Sequence, residues 1–484
     1  MSRKGILSAS LIYVPSQIVV MLTAIVRGFV LPKILLPESY GMLAIVFLVV
    51  NYSRMANLGV LNEYDREYPR ALSTSSPDEQ KSYRDTCFTL FFSHNLIYSL
   101  ALGGYYAWKH PGQSSWLWSI FFGLLLLDNV NEFVVDTCRA HRQFFEIAKN
   151  RIILNLLSVG LSVWGALKFG LHGAIGGIGL GYFLGIYFFL RMEDRPRLRI
   201  QRSLLRSIYS SSFSLLAVLG LSMLLDSYDR LIVARFFSAA EMGVYALAHS
   251  MARLVLFVFV SVNYVFYPFL LSMHAQEKDL QRLRSFYSKV CDLIAVAVPL
   301  LLMAMYFFLN AVVPAYLPRY EASLVILPVL LGGMFFLILS QMTETFLLVL
   351  NKQGAVIRNQ VTQAVLLGAL LVGLYFAGRD LRWVASLFIL GNATYFFMIR
   401  QTLAYELGRE ITRGAGALLG SALFVVSAGV FAMFLKPWQG HEMLWSNVMG
   451  LGAVGLVSFV ALFWIDARTG LVREAIGVVR SKFS

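Results

Sequence analysis

The stretch RGFVLPKILLPESYGMLA (Arg27–Ala44) decides how the chain is read, because its pattern returns as RLIVARFFSAAEMGVYALA (Arg230–Ala248). Each copy has an arginine, ten residues, a glutamate and then a glycine: Arg27, Glu38 and Gly41 against Arg230, Glu241 and Gly243. The two arginines lie 203 positions apart. Both copies sit in long apolar surroundings, so what those surroundings are comes first.

The 484 residues are 58% hydrophobic and 14% charged, with a mean hydropathy of +0.67. Soluble domains are nearer a quarter charged, so this is a polytopic membrane protein. Ser2-Arg3-Lys4 and the apolar run behind them mimic a signal peptide, but the run is about twice a signal core and lacks a small-residue cleavage site. It reads as a retained first span. Apolar runs near the ~20 residues needed to cross a bilayer recur about fourteen times. They fall at 6–31, 40–61, 86–108, 115–138, 152–169, 171–190, 208–229, 244–270, 290–313, 322–350, 360–378, 381–399, 414–435 and 444–465. The hairpins at Gly170 and at Arg379–Arg382 must be very short.

A net charge of +14 invites a nucleic-acid reading, but its distribution excludes one. With the N-terminus inside, cytoplasmic loops hold about 29 of the Lys and Arg residues, outer loops about nine, and the spans about three. Both termini are therefore cytoplasmic. RMEDRPRLRIQRSLLR (Arg191–Arg206) is the strongest basic block and suits an inner-leaflet surface facing anionic lipid. Trp108, Trp116, Trp118, Trp438 and Trp445 mark the outer interface. Cys87, Cys138 and Cys291 match no metal motif and read as buried bystanders.

The repeat organises these spans. Six of them separate the copies, an even number, so both halves cross in the same sense. This predicts an all-α membrane architecture: an N-terminal six-helix lobe over 1–190, a basic linker over 191–207, a second six-helix lobe over 208–405, and two further helices with a cytoplasmic tail over 406–484. A cleft between such lobes holds substrate in transporters built on repeats.

Charges inside spans are functional candidates by default. Arg54 falls in the second expected span and Arg253 in the eighth, each about 6 Å from the helix centre at 1.5 Å per residue. Arg27 lies nearer an outer end and is read either as a binding group or as a side chain snorkelling to the interface. Ser16 and Thr23 share its helical face, and His249 precedes Arg253 by one turn. Guanidinium is permanently charged and matches phosphate or carboxylate, so an anionic head group is the natural ligand. In the fourth span, DNVNEFVVD places Asp128, Glu132 and Asp136 at four-residue steps. These acids read as counter-ions, as a proton or cation route, or as partners for sugar hydroxyls; Asp136 also has Arg139 and Arg142 nearby. Ser222, Asp226 and Asp229 share a face next to Arg230, and Ser340, Glu344 and Asn351 share another. A mid-span carboxylate such as Glu344 is the usual carrier in proton coupling, and pairing with Arg230 is the structural alternative for Asp229.

The opening YVPSQIVVMLTAIVRGFVLPKILLPESYGMLA, its copy DRLIVARFFSAAEMGVYALA, YPFLLS (Tyr267–Ser272) and LNKQ (Leu350–Gln353) resemble the polysaccharide transporters. These are the Wzx-type O-antigen and exopolysaccharide flippases of the multidrug/oligosaccharidyl-lipid/polysaccharide superfamily. The resemblance implies alternating access and transfer of an undecaprenyl-diphosphate-linked oligosaccharide to the periplasmic leaflet of the bacterial inner membrane. It implies a transporter rather than an enzyme, with no cofactor beyond a coupling Na+ or H+, and membrane lipids, a polysaccharide polymerase and chain-length machinery as partners. Related lipid II flippases carry cavity arginines in spans one, two and eight, which implies pyrophosphate-binding roles for Arg27, Arg54 and Arg253. Their sodium site, from spans seven, eleven and twelve, has counterparts here in Asp229 or Asp226, Asn392 and Thr394, although span eleven offers only Gln360 and Gln363. Two rivals remain: a cation-coupled multidrug exporter of the same fold, favoured by an acid-rich cleft, and a membrane polymerase or glycosyltransferase, which needs a sizeable outer loop that this chain lacks.

Overall fold

The computed structural model of the chain describes residues 3–109, 115–141, 143–191, 195–277, 280–377 and 380–407. The spans expected at 414–435 and 444–465, with Trp438, Trp445 and the tail, lie outside the described residues, as do the side chains of Ser16, Trp116 and Trp118.

Every regular element among the described residues is helical: α1 (Arg3–Ile34), α2 (Pro37–Ser53), α3 (Val60–Thr74), α4 (Pro77–Lys109), α5 (Ser115–Ala140), α6 (Phe144–Arg191), α7 (Arg202–Phe236), α8 (Ala239–Glu277), α9 (Leu280–Tyr316), α10 (Ser323–Val349), α11 (Gln353–Ala377), α12 (Leu381–Leu407), and a single 3-10 turn at Pro318–Tyr320. Among the described residues, five segments are by themselves long and apolar enough to cross a bilayer, in α6, α9, α10, α11 and α12. The protein is a multi-pass helical membrane protein.

The short hairpin expected at Gly170 is present. Gly170 takes φ 61°, ψ −138° inside α6, a conformation open to glycine and costly for other residues, and the chain folds back there. Beyond the bend, Gly173, Gly177, Gly181 and Gly185 face Gly165, Leu161, Ser158 and Leu154 in turn, and a Cβ on Gly173 or Gly177 would run into the opposing backbone. Small residues let the two legs approach closely where lipid supplies no hydrophobic drive between helices.

The second expected span is corrected. It does not run to residue 61: α2 stops at Ser53 and tightens into successive turns, with Met55 N bonded to the Tyr52 carbonyl (3.0 Å) and Ala56 N to that of Ser53 (2.9 Å). Leu58 and Gly59 are both left-handed, at φ 53° and 80°, which ends any helix. The polar α3 then begins, and its apolar face is buried: Tyr64 stacks on Tyr68 and on Phe133 of α5, both at 4.6 Å between ring centroids. Asn351, expected to share a face with Ser340 and Glu344, lies beyond the end of α10 at φ 59°. Lys352 N reaches the Leu347 carbonyl (2.9 Å) and Asn351 N that of Leu348 (3.0 Å), the bond pair of a Schellman cap.

The chain divides into two compact units, Met1–Tyr228 and Asp229–Ser484, with the division inside α7. Each contains one copy of the sequence repeat, and in each the copy is a helix, a two-residue break and a helix: Leu35–Leu36 between α1 and α2, Phe237–Ser238 between α7 and α8. The bonds Leu35 N to Leu31 O (2.8 Å) and Tyr40 N to Leu36 O (2.9 Å) recur as Phe237 N to Val233 O (3.0 Å) and Met242 N to Ser238 O (2.9 Å). Leu31, Tyr40, Leu43, Val46 and Val50 are buried, and so are Val233, Met242, Tyr245, Ala248 and Ala252. The breaks, turn bonds and buried positions of the two corners therefore correspond at a spacing of 202 positions, one residue off the register read from the arginines and glutamates.

Candidate functional site

In the first unit the charged residues gather around the end of α2. Arg54 caps that helix instead of lying near the middle of a span, a correction that follows from the break at Leu58 and Gly59. Its side chain is 53% exposed and its Nη2 lies 3.3 Å from Glu132 Oε1 of α5. Asp128, one turn before Glu132, is within electrostatic reach of both Glu132 and Arg54. Tyr182, on the second leg of α6, is within reach of Asp128, Arg27, Arg54 and Glu132. Four sequence candidates from three separated segments thus share one neighbourhood, with Tyr182 as a member that sequence reading missed.

Arg27 is half-buried, with its guanidinium 4.6 Å from the centroid of Phe47, a cation–π contact. Thr23 is buried and returns its hydroxyl to the Val20 carbonyl (2.8 Å). The neighbouring polar residues of α5 have separate partners: Asn129 Nδ2 donates to Ser53 Oγ (3.3 Å), and Asn150 Nδ2 of α6 donates to Asn131 Oδ1 (2.9 Å). Asp136 pairs with Arg139 at 3.1 Å, and Arg139 also engages Asp65 at 3.0 Å.

In the second unit Asp229 is fully buried. Tyr245 donates its hydroxyl to Asp229 Oδ2 (2.8 Å), His249 Nε2 lies 3.6 Å from the same oxygen, and Arg230 Nε lies 3.9 Å from Oδ1. The pairing expected between Asp229 and Arg230 is thus the loosest of the three contacts. Arg253 acts electrostatically on His249 one turn away, and the His249 ring meets Phe388 of α12 edge-on at 5.7 Å. Asp226 is half-buried on α7.

Glu344 of α10 accepts a hydrogen bond from Tyr395 of α12 and a second from Gln360 of α11. Gln363 Nε2 donates to the Gly391 carbonyl (3.2 Å). Asn392 Nδ2 donates to the Phe388 carbonyl (2.8 Å) and Thr394 Oγ1 to that of Leu390 (2.8 Å); both side chains are tied to their own helix. No group of three or more His, Cys, Asp or Glu able to hold a metal occurs among the described residues. Cys87, Cys138 and Cys291 are buried free thiols.

Two buried arginines escaped sequence reading. Arg84 pairs with Asp85 at 3.1 Å, their side chains 3% and 8% exposed; Arg400 near the end of α12 is 8% exposed and faces Asp292 electrostatically. The adjacent opposite charges in YRDT were a signal for the first. Nothing local marked the second.

A family model described as "Polysaccharide biosynthesis protein" matches residues 30–320. No curated protein matches the chain. Among solved structures, the lipid II flippase MurJ in an inward closed conformation is similar at a TM-score of 0.67 and 11% identity, covering 95% of this chain and 99% of that one. A multidrug resistance MATE family transporter of the MOP superfamily, in its inward-facing conformation, is similar at 0.62 and 12%, covering 84% and 99%. The Vibrio cholerae MATE transporter VcmN in the bent form is similar at 0.55 and 14%, covering 85% and 100%. At these identities the likeness carries the fold.

Proposed function

The chain belongs to the polysaccharide biosynthesis protein family and has the MATE and MurJ fold, and from this premise we propose that it is a flippase for an undecaprenyl-diphosphate-linked oligosaccharide. In this reading it moves the glycolipid from the cytoplasmic to the periplasmic leaflet of the inner membrane by alternating access, without covalent chemistry.

The observation that carries the proposal is the first-unit cluster: an open, permanently charged Arg54 held at 3.3 Å by one carboxylate, with Tyr182 within electrostatic reach of both Arg54 and Arg27. Glu132 keeps the guanidinium charge compensated while the site is empty, and a diphosphate with more charge and more acceptor oxygens displaces it. Arg27, Arg54 and Arg253 are the diphosphate-binding residues. Asp128, Glu132 and Tyr182 supply the hydrogen-bonding groups that a sugar chain needs, and Asp226, Asp229, His249, Glu344 and Asn392 are the candidates for ion coupling by Na+ or H+. An exporter of organic cations would need the α5 acids unpaired, whereas Glu132 engages Arg54.

Energetics favour the direction. A head group with roughly two negative charges is driven outward by an inside-negative potential, with a gain of about 4–5 kcal/mol per 100 mV. A coupling ion is then needed mainly to reset the carrier.

The test is complementation of a flippase-deficient strain. R54A and R253A abolish glycolipid transfer at unchanged membrane abundance, and the lipid-linked oligosaccharide that accumulates on depletion identifies the sugar. Full complementation by both variants would remove the proposal.

A further inference from the structure

The basic block read from the sequence has a structure of its own. Residues 195–201 form neither helix nor strand, with a bend at Leu198, in a protein otherwise built mainly of helices among its described residues, and this strap lies along the start of α4. Arg197 N donates to Asp85 Oδ1 (3.1 Å), Arg199 N to Thr89 Oγ1 (2.9 Å) and Gln201 N to Thr86 Oγ1 (3.1 Å). Arg84 Nη2 donates to the Arg195 carbonyl (3.4 Å), and Thr89 Oγ1 lies 2.9 Å from the Arg199 carbonyl. The buried Arg84–Asp85 pair thus fixes the strap from below, and Ser82 bonds the side chain of Gln201.

Depth decides what the strap meets. Residues 84–89 are where α4 passes from PDEQKSYRD into its apolar run, a boundary level that the basic charge around it assigns to the cytoplasmic side. Non-helical backbone survives at that depth only when its polar groups have protein partners, and α4 provides them. Pro196 is buried, whereas Arg195, Arg197 and Arg199 are exposed, as are Leu198 at 65% and Ile200 at 52%. From Arg195 to Arg206 there are five arginines and no acid. Arginines alternating with aliphatic side chains at an interface suit phosphates above and acyl chains below. An acidic protein or a nucleic acid would leave Leu198 and Ile200 in water.

We propose that the 195–201 strap is a binding site for anionic phospholipid of the cytoplasmic leaflet, with Arg195, Arg197 and Arg199 on the lipid phosphates and Leu198 and Ile200 in the acyl boundary. The site is independent of the cargo the protein carries, and it needs no transport assay. The test uses the full chain purified in a zwitterionic detergent, with binding of short-chain phosphatidylglycerol and phosphatidylcholine followed by native mass spectrometry. Wild type prefers phosphatidylglycerol. At about fivefold per arginine, R195Q/R197Q/R199Q weakens phosphatidylglycerol on the order of a hundredfold and leaves phosphatidylcholine unchanged, while L198S/I200S weakens both lipids. T89A retains every arginine but loosens the strap, and lowers the preference for phosphatidylglycerol severalfold; gel-filtration profiles and thermal midpoints confirm that each variant is folded. Equal binding of the two lipids by wild type, an unchanged triple variant, an unaltered T89A, or full displacement of phosphatidylglycerol by millimolar inorganic phosphate would each overturn the proposal, the last by revealing a free-anion site.

Discussion

The corner between α1 and α2 and the corner between α7 and α8 share their two-residue breaks, their turn hydrogen bonds and their buried positions, yet they differ in what they hold. At the shared spacing of 202, Arg27 corresponds to Asp229 and Phe47 to His249. In the first unit a cation rests on an aromatic face at 4.6 Å; in the second a buried carboxylate lies 3.6 Å from an imidazole and accepts a bond from Tyr245, which stands where Leu43 does. The same pair of helix positions is in contact in both units, with the sign of the charge reversed. Apolar burial sets the bend, so the charge at this position is not required by it. The scaffold thus accommodates either charge: in the function proposed above Arg27 serves as an anion contact in the first unit, whereas Asp229 is an internal polar node in the second.

The largest expected effect separates those tasks by stability. Asp229→Leu removes a buried acceptor from the Tyr245 hydroxyl and a carboxylate from beside Arg230, at a cost of about 3 kcal/mol, while Asp229→Asn keeps an acceptor and recovers most of it. Arg27→Leu costs under ~1 kcal/mol but removes glycolipid transfer. Thermal midpoints of the detergent-solubilised variants decide this: equal losses at both positions would mean that the reversed charges play one structural part.

A smaller effect tests the local chemistry of the breaks. Ser238 caps α8, its Oγ accepting from Glu241 N (3.2 Å) while Glu241 Oε2 accepts from Ser238 N (2.9 Å), a reciprocal capping box. The first corner has Leu36 and Pro37 there instead, with no side-chain cap. Ser238→Ala is expected to cost about 1 kcal/mol and Leu36→Ser to gain up to about that much, both read as thermal shifts. No change in either would show that the breaks are held by tertiary packing alone. Smallest of all, Phe47→Leu keeps the burial but loses the cation–π contact, worth about 0.5 kcal/mol at a partly open site; a shift several times larger would place Phe47 in the structural core.

Much of the fold was legible. Hydropathy located most of the helices, and Gly170 marked the tightest hairpin, because a single residue free to adopt positive φ is what such a reversal needs. The repeat was legible too, but one residue out of register: identical Arg and Glu residues drew the alignment, while the structure registers on buried apolar positions and on Gly41 with Gly243. The end of α2 was missed because averaging over a window absorbs Asn57-Leu58-Gly59 into the apolar run, although that glycine is a helix-end signal. Arg54 was misplaced for the same reason. Proximity of Arg27, Arg54, Asp128 and Glu132 to Tyr182, and the burial of Arg84 and Arg400, depend on which helices pack together, and no local pattern encodes that.

The most direct measurement of the central claim, that the first unit's permanent cations hold a lipid diphosphate, is the affinity of undecaprenyl diphosphate for the purified full chain and for Arg27→Gln/Arg54→Gln. Losing two charge-assisted contacts of about 1.5–3 kcal/mol each predicts a fall of at least about a hundredfold for the diphosphate, with uncharged undecaprenol bound as before. Undiminished affinity for the diphosphate in the double variant would contradict the account.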